Sequence, residues 1–369
     1  MALLAPPAPP PVLITPSPYE VSYGRIAGRV AAGAQMVVVS IDGRVVAKRD
    51  LPGRKTFDFH VQLPQRDVRL TVSAIFDEGR RATTSVGPVF GLPQGGEPRG
   101  PPRRSYEDAA LARSLRSLAG SFPGTCAMYV ENLRTGAGAA WNARARFPAA
   151  STLKVAIAIE VLRVLHGKPR RGSQIDRLLR KAIIPSDDRA ANELLLWLGG
   201  STSGGAARVN TLFRALGMAD TDMYGGYIVQ SRNPIPLRAD ERPTFVGKRT
   251  TAWDYSRLLL SVHLAAEGKG RLARRYRGSF VPSDARFLLY LLAHTDPGWL
   301  DRYVSGSGIT VLQKAGWITK ARHDGGVAYW RGGAFVVTVM TWNAHGVGDS
   351  SSVLAGRVAR TAFLRFRRG

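Results

Sequence analysis

Cysteine is almost missing from this chain of 369 residues: Cys126 stands alone, so neither an internal disulfide framework nor a multi-cysteine zinc site can be built. Long apolar runs are missing too. The most apolar stretch, Val155 to Leu165, is interrupted by Glu160 and Arg163 and falls short of the ~18 residues a spanning helix requires. The start, Met1-Ala2-Leu3-Leu4-Ala5-Pro6, shows neither the cationic segment nor the apolar core of an export signal. Acidic residues are scarce, 27 against 52 Lys and Arg, for a formal charge of +25. That balance favours polyanionic surroundings such as nucleic acid, anionic headgroups or cell-wall polymer. The six histidines lack His-Glu-x-x-His spacing, and there is no Gly-x-Ser-x-Gly elbow and no phosphate-binding glycine loop. No metal or cofactor set is therefore expected. Basic runs such as Lys168-Pro169-Arg170-Arg171 lack the interleaved aromatics of a single-strand binder, which disfavours nucleic acid and leaves an anionic wall as the possible polymer partner.

What is present suffices for two domains. Residues 1–22 form a proline-rich leader. Residues 23–92 read as short strands punctuated by Asp42-Gly43, Pro52-Gly53 and Glu78-Gly79. Phe57, Phe59, Val61 and Leu63 alternate onto one face, as do Val68, Leu70, Val72, Ala74 and Phe76, which predicts a small immunoglobulin-like β-sandwich. His60 falls on its solvent side, and no cluster of nucleophile, base or metal ligand accompanies it. A linker rich in Pro, Gly and charge follows at 93–104.

Residues 105–369 change character. A helix carrying Leu111, Leu115 and Leu118 precedes strands at Cys126–Leu133 and Ala137–Trp141. A helical middle fills 151–295, strands return at Ile309–Ile318, Gly326–Trp330 and Ala334–Trp342, and a helix with Leu354, Val358 and Ala362 on one stripe ends the chain. The expected fold class is α+β, an antiparallel sheet flanked by terminal helices with an all-helical lobe beside it.

Three motifs carry the chemistry. Ser151-Thr152-Leu153-Lys154 opens an apolar helix, so serine and lysine share a face three residues apart. A lysine whose ammonium is destabilised by burial can take a serine proton, and a helix start offers free N–H groups to an oxyanion. Ser186-Asp187-Asp188 forms a turn before a second apolar helix, and Lys314-Ala315-Gly316 lies in a late strand. In this order the motifs resemble those of the class A β-lactamase and penicillin-binding serine hydrolases. Thr250-Thr251-Ala252-Trp253-Asp254 resembles that family's helix start as well. The resemblance implies Ser151 as acyl nucleophile, Lys154 as base or shuttle, and Ser186 as the group passing a proton towards the leaving nitrogen, helped by Lys314, whose charge also attracts a substrate carboxylate, with an oxyanion hole at the N–H groups of Ser151 and Trp317. Gly316 would let a substrate backbone lie along the strand edge. The implied substrate is a β-lactam or related amide, handled outside the cytoplasmic membrane. A D-alanyl-D-alanine peptidase or esterase acting on wall peptides, and a catalytically impaired wall or polyanion binder, are the alternatives.

Three departures matter. The family's deacylating glutamate has no counterpart; Asp240 and Glu241 are the only carboxylates in the corresponding stretch. Asp188 replaces an asparagine of the substrate site, so it accepts hydrogen bonds and cannot donate, and its charge is expected to keep Lys154 protonated. Ala315 removes a hydroxyl that commonly binds the substrate carboxylate. Arg322 or His323, oriented by Asp324, would replace that contact, unless 322–324 is simply a polar turn. The short interval from Ser151 to Ser186 implies a trimmed lobe and an open cleft.

Overall fold

The computed structural model describes residues 8–100, 104–227, 247–296 and 298–368. The chain divides into two units, Met1–Gly96 and Glu97–Gly369.

The first unit holds β1 (Val12–Thr15), β2 (Glu20–Ser22), β3 (Arg25–Arg29), β4 (Met36–Ile41), β5 (Arg44–Asp50), β6 (Thr56–His60), β7 (Asp67–Ile75) and β8 (Arg81–Gly91). Two sheets form, one ordered β1-β3-β6 and one ordered β2-β8-β7-β4-β5. Alternation drives the closure: Ile26, Phe57 and Phe59 from the first sheet meet Val37, Val39, Leu70 and Val72 from the second in one core. β1 and β2 lie inside the stretch read as a leader. Prolines flank β1 without harm because it is an edge strand, paired on one side only.

The second unit begins with β9 (Tyr106–Glu107), α1 (Ala109–Gly120), β10 (Thr125–Asn132), β11 (Ala137–Trp141) and β12 (Phe147–Pro148). Its lobe contains α2 (Lys154–Leu165), α3 (Gln174–Ile183), α4 (Asp188–Gly199), α5 (Thr202–Leu216), β13 (Arg249–Thr250), α6 (Ala252–Ala265), α7 (Gly270–Arg275) and α8 (Pro282–Leu292). β14 (Ile309–Ile318), β15 (Ala321–Trp330), β16 (Gly333–Trp342) and α9 (Asp349–Phe366) complete it. The sheet order is β14-β15-β16-β10-β11-β9. Leu111 and Leu115 of α1 and Leu354 and Val358 of α9 cover one face, against Met128, Val130, Val337 and Val339. α6 covers the other, where Ser256 and Thr338 share a hydroxyl hydrogen bond of 2.8 Å.

α2 is buried from Lys154 through Leu162. Glu160, the interruption in its apolar run, is neutralised in place by Arg163 through bonds of 2.8 and 2.6 Å. No helix among the described residues is long and apolar enough to cross a membrane. One strand boundary in the second unit departs from the sequence reading by more than a residue. β15 starts at Ala321, because Ile318 and Ala321 pair across a two-residue connection, so Arg322-His323-Asp324 lies within the strand and is not a turn.

Candidate active site

Ser151 sits where a short strand breaks into a buried helix. Phe147 and Pro148 pair with Thr250 and Arg249, Ala149 N–H donates to the Lys248 carbonyl at 2.9 Å, and a 3-10 turn, Ala150–Leu153, feeds α2. Ala150 adopts φ 47°, a left-handed conformation costing a non-glycine residue about 1–3 kcal/mol. The first hydrogen bond inside the turn runs from Thr152 N–H to Ala149 O at 3.2 Å, so the Ser151 N–H precedes the ladder and is free of it. Gly316 passes directly beside it: a Cβ there would lie 2.7 Å from Ser151 N and 2.9 Å from Thr152 N. The glycine is thus required first by the Ser151 backbone, a nearer cause than the substrate contact read from sequence.

Two buried lysines converge on one hydroxyl. Lys154 Nζ reaches the Ser186 carbonyl, Ser186 Oγ at 3.3 Å and Asp188 Oδ1 at 2.6 Å. Lys314 Nζ reaches Ser186 Oγ at 2.8 Å and Ala315 O at 3.0 Å. Ser186 itself is left-handed, φ 63°, which turns its carbonyl and hydroxyl together toward Lys154. Asp187 caps α4 by accepting from Ala190 N–H at 2.6 Å, leaving Asp188 in the first turn to face Lys154. Burial lowers the pKa of Lys154, with Asp188 opposing it. The carboxylate acts on Lys154 in the direction the sequence reading supposed, but desolvation outweighs it and the net direction is downward. Burial, reinforced by the Lys154 charge, lowers Lys314 to about 7.

The rest of the β14–β15 hairpin serves other ends. Strand alternation puts Lys314 and Gly316 on one face and Ala315 and Trp317 on the other. Ala315 is fully buried, while Trp317 is 42% exposed and packs edge-on against Trp299 at 5.8 Å. Arg322 lies on the face of Trp317: it bonds Ser352 Oγ at 2.9 Å and stacks on Trp299 at 4.8 Å. It does not replace the missing hydroxyl. Neither does His323, which is buried, donates from Nε2 to Pro148 O at 2.7 Å and accepts at Nδ1 from Thr341 N–H. Burial lowers its pKa to about 4, so it is a neutral fastener of the strand ahead of Ser151. Asp324 does not orient it. That carboxyl accepts from Trp299 and Leu300 N–H at 2.8 and 3.2 Å, and burial raises its pKa to about 7.

Sequence reasoning missed three residues here. The Tyr227 ring lies 4.7 Å from Lys154 Nζ and 4.9 Å from Lys248 Nζ. Asn192 holds Tyr227 by both backbone groups, accepting from its N–H at 2.6 Å and donating to its carbonyl at 2.9 Å. Asn192 and Asp188 are four residues apart on α4, and that i,i+4 spacing was the available signal. Lys248 was legible only as the residue before the Arg249-Thr250 strand. Asp240 and Glu241 lie outside the described residues. Among the described residues no group of three or more His, Cys, Asp or Glu could hold a metal ion.

The model of the beta-lactamase enzyme family matches residues 110–175 and 165–366. The chain therefore belongs to that family. Similar solved structures include PBP-A, 21% identical over 73% of this chain and 100% of its own, with a TM-score of 0.56. A β-lactamase from Sphaerobacter thermophilus is 22% identical over 71% of this chain and 99% of its own, TM-score 0.55. The class A β-lactamase from Mycobacterium abscessus is 20% identical over 70% and 99%, TM-score 0.54. A PBP-A variant is known as an acyl-enzyme complex with penicillin G. No curated protein sequence matches significantly.

Proposed function

We propose that the second unit is a serine hydrolase that forms an acyl-enzyme on Ser151 with a β-lactam or a related amide. The observation that carries this reading is the convergence of Lys154 and Lys314 on the Ser186 hydroxyl next to the helix start that bears Ser151. Lys154 has three acceptors for its three N–H groups, so as arranged it is an ammonium with no lone pair to offer. Lys314, with a pKa of about 7, is the amine available in neutral form. Lys154 passes a proton through Ser186 Oγ to neutral Lys314 and takes the proton of Ser151. The Ser151 Oγ–carbon bond forms, and the oxyanion accepts from the N–H groups of Ser151 and Trp317. As the carbon–nitrogen bond breaks, the proton returns through Ser186 to the leaving nitrogen, and water later releases the acyl group.

The sequence has no counterpart of the family's deacylating glutamate, which favours a second reading for β-lactams: an acyl-enzyme that outlasts turnover, as in a penicillin-binding peptidase or esterase whose natural substrate is a wall peptide. A fluorescent penicillin and a chromogenic cephalosporin, applied to the parent and to Ser151→Ala, separate these readings. Turnover lost in the variant supports a β-lactamase, and stable label on Ser151 without turnover supports the peptidase. No label and no hydrolysis of simple esters defeats both and leaves a binding protein. The charge of +25 supports action outside the membrane against an anionic wall, where binding should weaken with added salt.

A further inference from the structure

Three of the cationic groups near Ser151 are already spent. Lys154 and Lys314 donate to Ser186, Asp188 and Ala315, and Arg322 is turned to Ser352 and Trp299. His323 is neutral and bonded to Pro148, and Ala315 offers no hydroxyl. Lys248 differs. Its backbone carbonyl is fixed by Ala149 N–H, its ammonium rests against the Tyr227 ring at 4.9 Å, and it is half-buried. No hydrogen-bond acceptor engages that ammonium among the described residues. Among the described residues, Asp188 is the carboxylate whose charge acts on it, and Asp188 makes its ion pair with Lys154.

An ammonium held in place by an aromatic face, partly stripped of water and left with open donors, is an anion receptor waiting for its ligand. We propose that Lys248, braced on Tyr227, recognises a carboxylate on the acyl side of the substrate. This rests on the acyl-enzyme reading for its orientation: the leaving nitrogen is assigned to Ser186 and Lys314, and Lys248, just ahead of β13, holds the backbone of Ala149 where the chain enters the Ser151 turn. Tyr227 acts as a positioning residue, holding Lys248 by its ring rather than its hydroxyl, and Asn192 holds Tyr227.

The probes are benzylpenicillin and its derivative with a carboxyl group on the acyl side chain. Acylation of Ser151 should favour the carboxylated probe. Lys248→Met should reduce its second-order rate about tenfold, as loss of one partly desolvated charge pair would, while leaving benzylpenicillin within about twofold. Lys248→Arg and Tyr227→Phe should keep the preference, and Tyr227→Leu should lose it. Equal losses for both probes in Lys248→Met would make Lys248 a scaffold residue and overturn the assignment. Direct binding to Ser151→Ala gives an arm independent of acylation: the carboxylated probe should bind more tightly, and the excess should vanish in Ser151→Ala/Lys248→Met. Equal affinities there overturn the anion site, whereas absence of acylation in the parent would overturn the hydrolase reading alone.

Discussion

At the residue scale, the site is governed by how three lysines and one carboxylate share charge. Lys314 is the group whose ordinary pKa is displaced to about 7 by burial and by the neighbouring Lys154, with Asp324 and Asp188 opposing that shift. Tyr255 donates to its carbonyl at 2.9 Å. Acylation of Ser151 should therefore rise with pH through about 7, as Lys314 loses its proton, and Lys314→Arg, which cannot become neutral, should reduce the rate about 10²–10⁴-fold. Stopped-flow labelling across pH 5.5 to 9 checks both. Asp188→Asn removes a carboxylate that opposes the downward shift of Lys314, so the acid limb of the same profile should move to lower pH. Ser151, Lys154, Ser186 and Lys314 were legible because each motif is local in sequence. Lys248 and Tyr227 were not, because their meeting depends on how two distant segments close around Asp188, and no short spacing records that.

At the scale of elements, β14 and the Ser151 turn are in backbone contact, and the cost of disturbing that contact is calculable in kind. Gly316→Ala would place a methyl 2.7 Å from Ser151 N. Acylation should fall by about 10²–10³, the loss typical of one oxyanion donor, while the melting temperature falls only modestly. The β15 strand carries an opposite pair of buried titrating groups. His323 has a folded pKa of about 4 against an ordinary 6.5, so its contribution is complete above about 6.5 and is lost as pH falls through about 4. Asp324, raised to about 7, works the other way, stabilising least at and above about 7. His323→Gln should consequently flatten the loss of melting temperature between pH 6.5 and 4, measured by calorimetry against the parent. The sequence marked this hairpin as Lys-x-Gly plus a polar segment. It could not show that residues 322–324 continue the strand, because His and Asp in a strand interior make sense only once Pro148 and the Trp299–Leu300 backbone are known to receive them.

At the scale of the whole molecule, the alternating patterns of residues 57–63 and 68–76 were enough to read a two-sheet closure, since period-two burial is the same physics in both places. The first two strands escaped notice because short edge strands among prolines carry little pattern. Every side chain assigned a role in acylation or recognition lies between Ser151 and Trp317 in the second unit, and the first unit ends at Gly96. A chain of residues 97–369 should therefore acylate at the rate of the full-length protein, within about twofold, if each unit folds on its own core.

The central claim is that Ser151 is an activated nucleophile, and intact-mass measurement tests it most directly. After incubation with benzylpenicillin, the full-length protein should gain the mass of one penicilloyl group, located on the peptide containing Ser151 and absent from both Ser151→Ala and Lys314→Arg at short times. A protein that stays unmodified at neutral and alkaline pH, or one labelled equally in Ser151→Ala, would contradict the account.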